Sequence, residues 1–350
     1  MVNLEELIRD IFSIIHDYHC DESAQLKEED VANWINQFDE KDRAFFLQEF
    51  LHLLKQGIYI SKEQAKIKLY DNLLILYKKL GYSDLSRFIK ETRFFNIQKE
   101  GKSQPELLKI LSSLLNEKNG LLLNPNGERL IKNYVYLDDI IATGKTVRKD
   151  LNNWLQEKDV DGVIFAEKVK MGAIQCVVST FCSHTWAESN IHWIFKCNYG
   201  SEVFLKFPIF IASYNIENSV HPSSHLNFAY PHYNKEIAES YFSTLTGSYH
   251  EDKAFRAIGT PKTEVFYSTP ANRERFENIM LSKGIGILEK VKQKNPAHRP
   301  LGATNPSNKT LGTGTLFFTW RNISNTCPLI FWWDNPSHGW KGLFPLKNRG

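Results

Sequence analysis

The chain has few of the features that set a protein apart as membrane-bound, secreted or strongly charged. No apolar run among its 350 residues approaches the ~18–20 residues that a membrane-spanning helix requires. Its opening, Met1-Val-Asn-Leu-Glu-Glu, does not begin a signal peptide. Cysteine is scarce: Cys20, Cys176, Cys182, Cys197 and Cys327 are an odd, scattered set, which suits reduced thiols in a cytoplasm. Three of them, with His184 and His192, give the spacing C-x5-C-x-H-x7-H-x4-C. That spacing matches no usual zinc finger or ribbon, and Cys176 and Cys197 lie in apolar runs. Charge of one sign is also missing. A net charge of +3 and a pI near 8.4 are too mild to imply nucleic-acid binding by themselves. What is present is ample core material, with 42% hydrophobic and 13% aromatic residues. The length allows two domains or one elaborated α/β core with additions.

Up to about residue 90 the periodicity predicts helices. Leu4, Leu7, Ile8, Ile11 and Ile15 form one stripe, and Val31, Trp34, Ile35 and Phe38 a second. Asp39 is placed to cap the next helix, which carries Phe46, Phe50, Leu53 and Leu54 and stops at Gly57. A fourth helix spans about 62–80 and closes at Gly81. His16, His19 and His52 read as surface or satisfied helical histidines, so nothing here suggests chemistry.

Residues 134–146 read YVYLDDIIATGKT. Tyr134, Val135, Tyr136 and Leu137 form the short run of a strand buried on both faces. Asp138 and Asp139 follow, then two isoleucines and the small, hydroxyl-rich turn Ala142-Thr143-Gly144-Lys145-Thr146. Val147, Leu151, Trp154 and Leu155 then recur on one face of a helix. The pattern predicts an anion site at a helix N-terminus, with two carboxylates beside it. The ending GKT invites comparison with a P-loop, but the first glycine of that motif would fall at Asp139. An acidic side chain there blocks close backbone approach and repels a triphosphate.

At every position this stretch instead resembles the 5-phosphoribosyl-1-pyrophosphate (PRPP) motif of type I phosphoribosyltransferases. That motif is a hydrophobic strand, two acidic residues, two apolar residues, then [AT]-T-G-x-T. The resemblance implies that Asp138 and Asp139 accept the ribose 2- and 3-hydroxyls, and that Mg2+ binds through PRPP and this acidic pair. It also implies that Ala142, Thr143, Gly144, Lys145 and Thr146 hold the 5-phosphate. Upstream, 94–97 is expected as a first core strand, and Pro105 as the N1 residue of a helix. The intervening residues 100–104 read equally as a solvated turn or as the family's pyrophosphate loop. In the latter case Gly101, Lys102 and Ser103 are the candidates, with Lys102 countering the leaving group's charge. Residues 124–129 have turn composition. Downstream, 162–166 and 173–180 read as further buried strands. The order β-α-β-β-α-β implies an open sheet with ligands outside the carboxyl ends of its strands, at a switch point. Residues 213–262 show no clear period beyond a short helix near 235–242, as expected of an insertion or a partner-binding region.

The C-terminal segments HRPLGATN, GTGTLFFTWRNISNTCPLIFWW and HGWKGLFPLKNRG, with Trp34, Gln37 and Phe38 near the start, resemble a second, narrower family. This is the phosphoribosyltransferase-like PRTase-CE family of bacterial conflict systems, and the resemblance runs over nearly the whole chain. It includes Arg299-Pro300-Leu301-Gly302 and the Asn-x-x-Pro-x-x-x-Trp run from Asn325 to Trp332, although Ala303, Thr326 and Cys327 depart from the usual pattern. The implied fold is a type I phosphoribosyltransferase-like α/β core at 91–350, with an open, mainly parallel sheet and flanking helices. Added to it are a helical region at 1–90, the insertion near 213–262 and a C-terminal β-rich hood. Phe317, Phe318, Trp320, Phe331, Trp332 and Trp333 are expected as strands completing or covering the sheet. Asn322 and Asn325, with Gly312 and Gly314, are candidates to line an acceptor pocket under the hood.

The resemblance further implies a cytoplasmic, toxin-like effector of anti-phage defence. It would use PRPP with Mg2+ to transfer or release the phosphoribosyl group at a nucleobase, nucleotide or RNA acceptor, or act hydrolytically. The alternative is a non-catalytic PRPP or nucleotide sensor that controls a partner protein. Some family members accompany a reverse transcriptase and a DNA-binding protein in retron cassettes. The mild charge suggests protein–protein contacts, with nucleic acid held chiefly by such partners; self-association is compatible with this.

Overall fold

The structure is a computed structural model, and it describes residues 3–20, 25–126, 130–218 and 225–346. In chain order the first elements are α1 (Leu4–Ile15), α2 (Glu28–Ile35), α3 (Glu40–Leu53), β1 (Tyr59–Ile60), α4 (Lys62–Lys79) and α5 (Leu85–Lys90). Next come β2 (Thr92–Phe94), α6 (Ser103–Asn119), β3 (Asn133–Ile141), α7 (Lys145–Gln156), α8 (Phe165–Lys170), β4 (Gln175–His184), α9 (Thr185–Tyr199) and β5 (Ile209–Ile216). The rest are α10 (Lys235–Ser243), β6 (Ser248–Tyr249), α11 (Glu251–Ala254), α12 (Pro270–Glu289), β7 (Asn308–Lys309), β8 (Phe318–Thr319), β9 (Asn322–Ile323) and α13 (Leu329–Trp332). No helix among the described residues is long and apolar enough to cross a membrane. The chain packs as two compact units, one formed by residues 1–62 with 216–348, the other by 63–215.

The second unit holds a four-stranded, all-parallel sheet in the order β2-β3-β4-β5. Its central pair runs in register from Asn133 opposite Gln175 to Ile141 opposite Ser183. Parallel pairing buries both faces, so Val135, Tyr136, Val177 and Val178 are all fully enclosed. Aromatic residues fill one side: Tyr134, Trp154, Phe165 and Phe95 pack ring on ring, with Val147 and Leu151 of α7 and Ile191 and Phe195 of α9 in the same core. From α4, Asn72 donates to Thr180 O at 3.1 Å and accepts from Ser213 Oγ at 3.1 Å, tying that helix to β4 and β5.

Three sequence expectations change here. Residues 162–166 are not a strand: Gly162 takes a φ of 82° in a turn, and α8 begins at Phe165. Four apolar residues after an Asp-Gly pair are too few to tell a buried strand from a buried helix start. The acidic pair lies within β3 rather than after it. The strand order follows chain order, so no reversal of the sheet creates a switch point.

The first unit joins the two ends of the chain. Trp34 sits among Phe38, Phe46, Phe50 and Phe331, and its Nε1 donates to Ile330 O at 2.8 Å. β1 pairs with β8 in parallel and β8 with β9 antiparallel. The segment expected to be a β-rich hood has only the two-residue strands β7, β8 and β9; Phe331 and Trp332 fall in the single turn of α13. Pro328 starts the longest apolar run there, residues 329–333, as a helical turn rather than a strand, and Phe317 and Trp320 pack from outside the short strands. A buried ionic cluster holds α12: Arg273 reaches Glu264 and, at 3.2 Å, Glu277, and Arg256 lies 3.4 Å from Glu277.

Candidate functional site

The candidate residues of the second unit gather around the carboxyl end of β3. Asp138 and Asp139 are both buried, at 7% and 6% exposure. Ser103 Oγ, in the first turn of α6, donates to Asp138 Oδ1 at 2.6 Å, and the backbone N–H of Asp139 donates to the same oxygen at 2.9 Å. Asp139 Oδ1 accepts the N–H of Ile140 at 2.9 Å, and its carbonyl accepts Thr180 Oγ1 at 2.9 Å from the neighbouring strand. Burial, and after it the charge of Asp139, push the Asp138 carboxyl up to about 8, against the pull of the Ser103 hydroxyl. Near neutral pH Asp138 therefore keeps its proton, as expected of an acid held from water beside a like charge.

Three residues beyond Asp139, the chain turns into α7. Ala142 and Gly144 are buried, whereas Thr143, Lys145 and Thr146 are exposed. Gly144 is the N-cap residue with φ 67°, a left-handed conformation that glycine adopts without penalty. It also lies against α9, where a Cβ would come within 2.6 Å of Ile191 Cδ1. The turn thus presents backbone N–H groups and two threonine hydroxyls at the positive end of a three-turn helix, a suitable seat for a phosphate.

The loop before α6 is positioned by residues the sequence reading passed over. Gln104 is fully buried, and its Oε1 accepts from Ile97 N at 2.8 Å and Gln98 N at 3.2 Å. Gln98 Nε2 donates to Tyr136 Oη at 2.5 Å, and Tyr136 donates to Asp150 of α7 at 2.7 Å. One hydrogen-bonded chain therefore links this loop, β3 and α7. The only sequence signal for it was that Tyr136 lies two residues before Asp138, one pleat along the same strand. Gly101 has φ 84° and Lys102 is the N-cap of α6, half-buried. Ser103, grouped with them as a pyrophosphate contact, instead spends its hydroxyl on Asp138.

Asn322 and Asn325 belong to the first unit. Asn322 is buried with its Oδ1 accepting Ile323 N at 3.0 Å, while the Asn325 side chain is exposed and its carbonyl accepts Ala303 N at 2.8 Å. Gly312 and Gly314 press on the backbone of Leu301 and Ala229. Cys176, Cys182 and His184 are buried along β4, and Cys197 is exposed on α9. At the opposite end of β3, a cleft of about 300 Å³ is lined by Tyr82, Arg87, Glu91, Lys132 and Asn133. There the Tyr82 hydroxyl, then Lys132 and Arg87, hold Glu91 down to about 2.

No group of three or more His, Cys, Asp or Glu side chains converges on one point among the described residues. A divalent ion at the acidic pair would draw its remaining oxygens from a ligand, which is how Mg2+ usually sits beside substrate phosphates. The two carboxylates fit that arrangement. No curated protein is significantly similar to the chain in sequence. A model of the PRTase-CE family matches residues 31–346, spanning both compact units and every candidate residue above, and the chain belongs to that phosphoribosyltransferase-like family.

Proposed function

We propose that this chain binds PRPP together with Mg2+ and transfers or releases its phosphoribosyl group, as the toxin-like effector of a bacterial anti-phage defence system. One observation carries this function: two adjacent buried carboxylates near the end of β3 run directly into a hydroxyl-rich turn that opens α7. In this reading Asp138 and Asp139 accept the ribose 2- and 3-hydroxyls, which fixes the sugar. The N–H groups and hydroxyls of residues 142–146 hold the 5-phosphate. Lys102 faces the pyrophosphate. Bound Mg2+ supplies countercharge to the phosphate oxygens. The C1–O bond to pyrophosphate breaks with its electron pair on the departing oxygen, and the lone pair of a nitrogen nucleophile or of water forms the new bond. The chain's own contribution is position and charge neutralisation.

An effector that consumes PRPP or a nucleotide must be restrained until infection. The region 213–262 and the N-terminal helices offer surfaces for a restraining protein partner, such as the reverse transcriptase and DNA-binding protein of a retron cassette. The test is pyrophosphate release from PRPP by the purified chain, run beside growth of cells expressing it with and without cassette partners. Release and toxicity that both vanish in Asp138→Asn/Asp139→Asn are expected. PRPP binding without pyrophosphate release would instead favour the sensor function, and toxicity persisting in the double variant would place the harmful activity outside this site.

A further inference from the structure

Among the described residues, the first unit buries a guanidinium without a counter-charge. Arg299 is 2% exposed. Its Nη1 donates to the carbonyls of Pro296 at 2.5 Å and His298 at 3.1 Å. Those are its hydrogen bonds among the described residues, and no carboxylate there lies within ion-pair distance. The Nε–Nη2 edge is left with no acceptor, and Nε itself is enclosed. Two hydroxyls share this condition. Tyr241 Oη and Thr310 Oγ1 are both enclosed without a partner, in residues each 7% exposed.

Hydrogen bonds tie together the segments that carry these three residues. Lys309 Nζ donates at 3.0 Å to the carbonyl of Phe242, which tethers the segment carrying Thr310 to the last turn of α10, where Tyr241 lies. Leu301 N donates to Leu311 O at 2.8 Å, so the chain segments holding Arg299 and Thr310 run side by side. Gly312 permits that packing, with φ 133° and a site for Cβ only 2.4 Å from Leu301 C. The Arg299 charge also acts on the Tyr241 phenol, lowering its pKa against the burial that raises it.

A buried charge and buried donors with no acceptor are strongly unfavourable. Every unmet group here can donate, so the missing partner is an acceptor and, given the guanidinium, an anion. The free Nε–Nη2 edge is the fork that grips two oxygens of a phosphate, and two hydroxyls supply contacts to the others. We propose that Arg299, Tyr241 and Thr310 form a phosphate-class oxyanion site in the first unit, separate from the turn at 142–146. Its ligand is inorganic phosphate or the phosphomonoester end of a larger molecule.

Tyr241→Phe combined with Thr310→Val tests this, because it removes two hydroxyls that bond to nothing among the described residues and so leaves the fold intact, as a thermal melt verifies. Inorganic phosphate is titrated calorimetrically into the wild type, this double variant and Arg299→Lys. The difference between isotherms isolates the proposed site whatever the turn at 142–146 binds. Affinity at that site is expected to fall at least tenfold in both variants, while the component of ribose 5-phosphate binding that Asp138→Asn/Asp139→Asn abolishes, which reports the PRPP site, stays the same in all three proteins. Competition by AMP assigns the site to a phosphomonoester; phosphate binding without such competition assigns it to the free anion. Identical phosphate isotherms for wild type and double variant, or no phosphate binding by the wild type, would overturn the proposal and leave the cluster as internal polar packing. Absence of an acidic-pair-dependent component of ribose 5-phosphate binding, with inorganic phosphate still bound, would count against the PRPP site alone.

Discussion

Replacing Asp138 by Asn should stabilise the ligand-free protein increasingly as pH rises, while removing its affinity for PRPP. The carboxyl moves from an ordinary value of 3.8 up to about 8 because burial and then Asp139 oppose its ionisation. A raised acid pKa means that the folded state binds the proton more tightly than the unfolded state. Stability from this group is therefore full below about pH 4, declines as pH rises, and stops declining only near pH 8. The slope is about 1.4 kcal/mol per pH unit, so moving from pH 5 to pH 7 costs about 3 kcal/mol, or roughly 5–10 °C in Tm for a domain of about 150–250 residues. Asparagine keeps Oδ1 as acceptor for the Ser103 hydroxyl at 2.6 Å and the Asp139 N–H at 2.9 Å, yet it cannot ionise. Paired thermal melts of wild type and Asp138→Asn at pH 5, 6, 7 and 8 should show the variant's advantage growing with each step. A gap that stays constant across this range, or a variant that loses stability as pH rises, would refute the reasoning.

Other expectations follow from the same geometry. Gly144→Ala places a Cβ at φ 67° and 2.6 Å from Ile191 Cδ1, so it should cost about 1–3 kcal/mol and weaken ribose 5-phosphate binding; unchanged urea unfolding and affinity would contradict this. Lys102→Ala should lower pyrophosphate release more than affinity for ribose 5-phosphate, which lacks the leaving group, and equal losses would remove Lys102 from that role. Arg273→Ala strands Glu264 as a buried acid and leaves Glu277 with Arg256 alone, an expected loss of about 3–5 kcal/mol in urea unfolding, and a loss below 1 kcal/mol would mean that the cluster reorganises.

Local periodicity made much of the second unit legible. The spacing of Val147, Leu151, Trp154 and Leu155 places α7 within a residue of its observed span, and Pro105 falls in the first turn of α6. The short apolar run at 134–137 announced β3, but its continuation through the acidic pair was invisible, since aspartate is rare inside strands. β5, at Ile209–Ile216, was lost in a stretch that mixes apolar and polar residues without clean alternation. What the sequence could not disclose was long-range pairing. Nothing near Trp34 shows that it caps a carbonyl of α13 almost three hundred residues later, or that β1 pairs with β8. The same limit applies around Asp138. Residue type and spacing identified the acidic pair and the turn, whereas the Ser103 contact and the relay through Gln104, Gln98, Tyr136 and Asp150 depend on which loops meet in space.

The central claim is that the end of β3 and the start of α7 form a phosphoribosyl site. Isothermal calorimetry with PRPP and Mg2+ tests it most directly, comparing the wild type with Asp138→Asn/Asp139→Asn. The amides replace half of the acceptors with donors and remove the charge that helps hold a metal. Saturable binding by the wild type that disappears in a folded double variant is the predicted result; equal PRPP affinity in the two proteins would contradict the assignment.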